Sequence, residues 1–527
     1  MALITDINPR NSTYWLLVTG TATLLIIPLI AYLLSLSKAA ATQKKRSPPS
    51  PPGLPMIGHI HHVGKVVPVS FQALAQRYGP LLSLRLGFST CVLASDADVA
   101  QQIMKTHELN FSSRPPFGSP EHSIYPPGSG FAMVPYGDYW RFLRKLSTSR
   151  LLSVPQLRRF ADVADDERLG LLRSLASCAQ EEARRPCDLG SELMKLTNNT
   201  ICRMAMSTRC SGREKDATKI QEIVKTVLQL AVELSLGDAL GPFGKVLEYF
   251  AGKGKKLFGA LSNFDELLER ILKEHEEKLL LTVADGKTTA APARKDVVDI
   301  LLEIYNDPIA PIRLSKTDIK SFLLDIFIGG TVTTSSAMQW AMGELINHPN
   351  VLKKLRHEIN EVVGSNRLVR ESDVQNLPYL RAVICETLRL HPSSPMIMRE
   401  CAEDCEINGF LIKAKTRVLL NHYAIMRDPK SWENPNEFFP ERFLERLEEK
   451  NRNFGYIPFG MGRRACPGVS LAMMVMPTVV GALVQYFDWE INEGKLDLTV
   501  GSGAGAEMAH ALVCYPVLRI NPFDSSG

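Results

Sequence analysis

Apolar residues recur three and four apart along most of the chain, the spacing of helices that bury one face. Residues 154–282 keep that pattern almost without strand signals. Residues 315–346 (SKTDIKSFLLDIFIGGTVTTSSAMQWAMGELI) predict one long helix with Ser315 as its N-cap. Its middle is poor helix material, because Gly329 and Gly330 adjoin Thr331, Thr333 and Thr334, whose hydroxyls bond backbone carbonyls. Residues 138–153 (DYWRFLRKLSTSRLLS) predict a helix capped by Asp138, with Trp140 and Arg144 four apart on one face. The run SLAMMVMPTVVGALVQYF at 470–487 predicts an apolar helix. Strand-like alternation is confined to short stretches, chiefly residues 81–95 (LLSLRLGFSTCVLAS), whose internal glycine predicts a hairpin, and residues 395–398. The expected fold class is therefore mainly α with a small β portion.

Breaks in the pattern divide the chain. Residues 47–58 (SPPSPPGLPMIG) hold five prolines and predict an extended, stiff connector. Residues 112–137 carry six prolines and several glycines, a long irregular loop of the functional kind. Residues 283–294 (VADGKTTAAPAR) predict an exposed linker. Residues 242–259 mix aromatic residues with Lys253, Lys255 and Lys256, which suits either a surface resting on a membrane or a loop with solvated charges.

Residues 14–37 are 24 in number and uncharged, long enough as a helix to cross a bilayer. Lys38, Lys44, Lys45 and Arg46 follow them and Arg10 precedes them, so the expectation is a permanent anchor with the body of the protein cytosolic. The sequon at Asn11 then lies in the lumen, close to the membrane. This gives residues 1–37 as luminal tail and transmembrane anchor, 38–58 as basic and proline-rich hinge, and 59–527 as the main domain. A net charge of +5 spread along 527 residues gives no nucleic-acid surface. The ten cysteines are scattered without CxxC pairs, which predicts reduced thiols and no disulfide framework. His59, His61 and His62 lack carboxylate or cysteine partners nearby in sequence, so no metal site is expected from them.

Residues 456–468 (YIPFGMGRRACPG) set Cys466 behind two arginines and between Gly462 and Gly468. A thiolate in such a loop can ligate haem iron, while the glycines permit close backbone approach and N–H groups tune the sulfur. A glycine-rich loop with an ordinary buried cysteine has the same composition. The order of residues separates the two. Phe459, Gly462, Arg464, Cys466 and Gly468 match F-x-x-G-x-R-x-C-x-G, and the loop resembles the haem-binding loop of cytochromes P450, with the flavour of plant microsomal A-type members.

Other segments resemble the same family in its order. Trp140 and Arg144 are similar to its W-x-x-x-R pair, and with Arg399 and Arg464 the resemblance implies that they hold haem propionates, with Phe459 covering the sulfur. Gly329, Gly330, Thr333 and Thr334 resemble the oxygen-activation motif [AG]-G-x-[DE]-T-[TS], which implies a proton-delivery role for Thr333. Val332 departs from the pattern, standing where the family usually has an acid. Glu386 and Arg389 form E-x-x-R and Arg442 lies in a P-E-R-F segment, together implying a structural Glu-Arg-Arg network that braces the Cys466 loop. Gly501, Gly503 and Ala506 fit G-x-G-x-x-A, but no βαβ unit flanks them, so a turn is expected there.

The resemblance implies the cytochrome P450 fold with an N-terminal transmembrane helix, haem b with Cys466 as axial thiolate, dioxygen as co-substrate and NADPH–cytochrome P450 reductase as electron donor. It also implies attachment to the endoplasmic reticulum membrane by a single span. The basic residues Arg141, Lys145, Arg150 and Arg463 suit an acidic donor. The expected substrate contacts, Phe117, Phe131, Phe322, Phe327, Met396, Ile397 and Met398, are apolar and imply a large hydrophobic ligand. The branch it resembles contains triterpenoid and flavonoid oxidases. The leading expectation is a pentacyclic triterpenoid such as friedelin, with stepwise oxidation of a methyl to a carboxylic acid; the alternative is a flavonoid or isoflavonoid oxidase of the flavone synthase or hydroxylase type. Val332 keeps a reductase-independent haem-thiolate isomerase or dehydratase open, and a haem-binding sensor or carrier without turnover is the remaining reading.

Overall fold

The computed structural model describes residues 47–115, 125–126, 129–180, 185–207, 223, 226, 252–284, 294–444, 454–492, 494–502 and 506–520. The expected membrane anchor, the Asn11 sequon, Phe117 and most of residues 208–251 and 283–293 lie outside them. The principal helices are α1 (Val67–Tyr78), α2 (Asp138–Leu146), α3 (Ala161–Gln180), α4 (Leu189–Met206), α5 (Lys253–Ala284), α6 (Val297–Asn306), α7 (Lys316–Asn347), α8 (Pro349–Val362), α9 (Pro378–Leu390) and α10 (Val469–Tyr486). The strands are short: β1 (Leu81–Leu86), β2 (Ser89–Ala94), β3 (Cys187–Asp188), β4 (Met396–Glu400), β5 (Cys405–Ile407), β6 (Phe410–Ile412), β7 (Arg417–Asn421), β8 (Phe487–Glu490) and β9 (Val513–Leu518).

Helix α7 is the axis of the molecule. It starts where the sequence predicts, with Ser315 and Asp318 capping each other reciprocally: Asp318 N–H donates to Ser315 Oγ at 3.1 Å and Ser315 N–H to Asp318 Oδ2 at 2.8 Å. The helix runs unbroken through Gly329 and Gly330. Gly330 has a packing reason, since a Cβ there would lie 2.6 Å from Ile201 Cδ1 of α4. Thr197 of α4 also donates to the Thr331 carbonyl at 3.0 Å. Helix α10 is, among the described residues, the one helix long and apolar enough to cross a membrane, and it is mostly buried against α3, α7, α8 and α9 instead.

The predicted hairpin forms as β1 and β2, turning at Gly87 with φ +65°. It extends into a four-stranded sheet ordered β1-β2-β7-β4, with β2 parallel to β7 and β4 antiparallel to it. Phe71, Leu82, Leu84 and Leu93 are almost fully buried between this sheet and α1, each stabilising the fold by about 1.5–3 kcal/mol. The proline segment is extended and docks on the sheet edge: Ser83 N–H donates to Pro49 O at 2.8 Å and His59 Nε2 lies 2.8 Å from Pro51 O, while His59 Nδ1 accepts from Arg85 N–H at 2.7 Å. His59 is thereby a structural residue.

Two expectations are corrected. Asp138 is the first residue of α2, not its cap; Gly137 holds the cap position without a side-chain bond, because the Asp138 carboxylate pairs with Arg141 one turn on. Cys202 is disulfide-bonded to a residue outside those described, whereas eight other cysteines are free.

Candidate active site

The Cys466 loop is built from both ends. On its N-terminal side Tyr456 is buried and donates to Cys385 O of α9 at 3.2 Å, and Trp432 Nε1 donates to Gly455 O at 3.0 Å. Glu386 and Arg389 are fully buried below. The Glu386 carboxylate accepts from Arg389 Nε (2.7 Å) and Nη2 (2.9 Å), Arg442 Nε (3.0 Å) and the Phe439 N–H (2.9 Å). Arg389 also donates to the carbonyls of Met426 and Pro435, and its guanidinium lies over Trp432 at 5.1 Å. One carboxylate thus satisfies two guanidiniums, which makes their burial tolerable.

Within the loop Gly462 is left-handed, φ +72°, and a Cβ would meet both Glu108 and, at 2.8 Å, the Met104 carbonyl. Cys466 N–H donates to Phe459 O at 2.9 Å, and Gly468 N–H donates to Cys466 Sγ at 3.3 Å. The Cys466 side chain has an exposed face, yet enough protein surrounds it that burial pushes its thiol pKa up. The Gly468 N–H and the charges of Arg144 and Arg114 pull the other way, toward thiolate.

Around the loop the chain gathers cations. Arg144 of α2 donates to Ala465 O at 2.6 Å; Arg464 donates to Ser112 O at 2.7 Å and to Val134 O, with Trp140 under its guanidinium at 4.5 Å. Arg399, 3% exposed, donates to Met398 O at 3.3 Å and has its pKa driven well down by burial and by the charges of Arg114 and Arg464. Arg464 is lowered to about 9 by burial, Arg114 and Arg144. Trp140 Nε1 and Arg114 Nε are buried without a partner. Mutually repelling guanidiniums beside unanswered N–H donors fit a buried dianion, and the two propionates of a haem have that chemistry.

Helix α7 forms the facing wall. Phe322, Asp325, Gly329 and Thr333 fall on one stripe of it, and Gly329 is exposed although the helix is otherwise mostly buried. Thr333 Oγ1 donates to Gly329 O at 2.5 Å, and Ser393 Oγ donates to Thr333 O at 2.9 Å. Asp325 Oδ2 accepts from the N–H groups of Phe131 (2.5 Å) and Ala132 (2.9 Å). Burial raises the Asp325 pKa to about 6, against those two bonds and Arg114. Gly130, φ +78°, has no room for a side chain, since a Cβ would sit 2.7 Å from both Asp325 Oδ2 and Ser321 Oγ. This clasp sets Phe131 with its ring 6.3 Å from Phe322, edge-on, and 6.1 Å from Trp140.

The structure therefore brings together Trp140, Arg144, Arg399, Phe459, Arg464 and Cys466 on one side, and Phe131, Phe322 and Thr333 on the other. Phe327 is elsewhere: it is fully buried on the opposite face of α7, edge-on to Phe264 of α5 at 5.7 Å. In β4, alternation separates the expected contacts. Ile397 shares the face of Arg399, its Cδ1 3.6 Å from where a Gly460 Cβ would sit, whereas Met396 packs into the cluster between sheet and α1. Val332 is 9% exposed and belongs to the helical core. Sequence reading missed Arg114, Asp325 and His422; an acid on the stripe of small and polar residues Ser321, Gly329 and Thr333 in α7 was the available signal for Asp325.

A family model described as "Cytochrome P450" matches residues 48–504. The chain is 39% identical over 491 residues to 3,9-dihydroxypterocarpan 6A-monooxygenase of Glycine max, covering 91% of this chain and 94% of that protein. It is 40% identical over 512 residues to "Cytochrome P450 93B2" of Gerbera hybrida, covering 96% and 98%. Among solved structures, a zebrafish cytochrome P450 with abiraterone superposes with a TM-score of 0.70 at 25% identity, over 86% of this chain and 99% of that one.

Proposed function

The chain belongs to the cytochrome P450 family and is a haem-dependent monooxygenase, and on that premise we propose that it oxidises a fused polycyclic phenolic of the flavonoid or isoflavonoid type. The observation that carries this is the similarity, over nine-tenths of the chain, to a protein named for oxidising a pterocarpan, which is a rigid fused-ring isoflavonoid. It moves the reading away from a pentacyclic triterpenoid, which none of the similar proteins described above names. The pairing of Phe131 with Phe322 suits a flat aromatic ligand, since edge-on and stacked rings attract beyond their buried area.

The family holds haem b through a cysteine thiolate, and bound haem supplies dioxygen activation. Cys466 is the proposed ligand; burial raises its thiol pKa, and the Gly468 N–H and the charges of Arg144 and Arg114 act against that, toward the thiolate an iron would bind. Arg399, Arg464, Arg114, Arg144 and Trp140 would answer the propionates. Thr333 is the proposed proton-delivery group, its hydroxyl proton held on Gly329 O. Val332 is packed in the core, so position 332 offers no carboxylate to relay protons to Thr333.

Electrons come from a redox partner, here proposed to be the NADPH-dependent reductase of the endoplasmic reticulum membrane, with residues 14–37 as the anchor. A surface depression of about 290 Å³ lined by Trp140, Arg141, Arg144, Lys145, Gly462 and Arg463 lies beside the ligand loop. Its basic rim suits a small, charge-complementary transient interface.

The test is product formation by membranes carrying this protein and a plant reductase, fed pterocarpans, other isoflavonoids, flavones and pentacyclic triterpenes, with and without NADPH. An NADPH-dependent oxygenated product from the phenolic panel supports the proposal. Turnover of triterpenes alone overturns the substrate class, and conversion without NADPH overturns the monooxygenase assignment in favour of an isomerase or dehydratase.

A further inference from the structure

Beside the cation cluster the chain buries a donor that none of the motifs above contains. His422 opens the short helix His422–Ile425 directly after β7, is 0% exposed, and neither of its ring nitrogens has a partner. Its Cε1 lies 4.0 Å from where a Cβ on Gly460 would be, next to Ile397 Cδ1 at 3.6 Å and Met104 Cε at 3.9 Å. The ring therefore faces the start of the Cys466 loop, on the same side as Ile397.

The neighbouring polar groups are already committed. Asn421 donates to Pro68 O at 2.8 Å and accepts from Ala424 N–H at 3.2 Å, capping the turn that His422 begins. The charge that acts on His422 is Arg399, which together with burial holds the imidazole neutral, with a pKa near 3. A neutral imidazole offers one N–H donor and one acceptor nitrogen. In surroundings set by Arg399, Arg114 and Arg464, the group that completes such a donor is an anion.

We propose that His422 donates a ring N–H to a haem propionate, alongside Arg399, and acts as a positioning residue for the cofactor. The inference rests on the haem reading above. It adds a neutral donor to a set of cations. It also draws charge from the propionate, which favours the reduced iron and raises the midpoint potential.

The test compares His422→Leu, His422→Gln and Arg399→Leu in the full-length holoprotein. Three readouts are taken: the rate of haem transfer to apomyoglobin, the propionate bending mode by resonance Raman, and the haem midpoint potential. Loss of one hydrogen bond to a charged group predicts about tenfold faster haem transfer for His422→Leu, a shifted propionate mode and a lower potential. His422→Gln, which keeps an N–H, should restore all three. Leu behaving like wild type, or Gln failing to restore what Leu loses, overturns the proposal. If His422→Leu does not accumulate, His422→Ala takes its place in the same comparison. Arg399→Leu separates this from failure of the haem reading: if it leaves all three readouts unchanged, the propionates are not here at all.

Discussion

The clasp at Asp325 gives the sharpest quantitative test of how the substrate wall is held. Asp325→Ala removes the acceptor of two enclosed N–H groups, those of Phe131 and Ala132. At about 1–3 kcal/mol for each unsatisfied donor, and with the loop able to relax, the expected destabilisation is about 2–4 kcal/mol. Asp325→Asn keeps an oxygen for both donors and removes the charge. The folded pKa of Asp325 is raised from 3.8 to about 6 by burial. For an acid raised in this way the folded state favours the protonated form. The stability it contributes is full below about pH 4, and is lost as pH rises through about 6. Two pKa units correspond to an upper bound near 3 kcal/mol, reduced because part of the side chain meets solvent. Wild type should therefore lose ground to Asp325→Asn between pH 4 and 7, and Asn should equal or exceed wild-type stability at pH 7.5. The assays are thermal unfolding across that range and the substrate-induced Soret shift. Asp325→Ala, with Phe131 released, should bind substrate roughly 5–30-fold more weakly, a loss of about 1–2 kcal/mol. An Ala variant that binds like wild type, or a wild-type-to-Asn gap that does not change with pH, refutes the reasoning.

Three further outcomes are expected. Glu386→Ala leaves Arg389 and Arg442 buried and uncompensated, costing about 3–5 kcal/mol, and should be seen as loss of the CO-bound thiolate band and of folded protein. Gly462→Ala forces a side chain into a left-handed residue against the Met104 carbonyl. A strain of about 1–3 kcal/mol should lower haem content measured per chain. Thr333→Ala should keep haem and NADPH consumption but divert it from product to peroxide, with Thr333→Ser restoring the ratio; unchanged coupling in the Ala variant would remove Thr333 from proton delivery.

What was legible in the sequence follows from the range of each interaction. The long helix α7, its Ser315–Asp318 cap and the turn of the β1–β2 hairpin depend on residues three or four apart, so periodicity and turn chemistry announce them. The Cys466 loop is local too. Arg114 was hidden because its partners come from the Cys466 loop and α7, hundreds of residues on, while its own surroundings are only a proline-rich loop. Phe327 misled for the converse reason: it is apolar and close to the glycine pair, but two residues' rotation on a helix turns it to α5. The stripe Ser321, Asp325, Gly329, Thr333, small or polar at every fourth position of an apolar helix, was readable in advance and marks the wall that faces the ligand.

The cation cluster ties these parts into one energetic unit. Beyond burial, Arg114 and Arg464 lower the pKa of Arg399, and Arg114 and Arg144 lower that of Arg464, so the chain folds against this repulsion and a bound dianion relieves it. The same groups hold the substrate wall: Arg464 donates to carbonyls of residues 131–134, and Arg114 acts on Asp325, which grips Phe131 and Ala132. Cofactor and wall are thus coupled through shared guanidiniums, and by linkage whatever binds the cofactor stabilises the wall. The helical core of α4, α7 and α10 contributes no cation to the cluster, and of these helices α7 reaches it through Asp325. Weakening the hold on haem should therefore loosen residues 129–134 first, visible as faster amide exchange there, while α7 and α10 keep their protection until global unfolding.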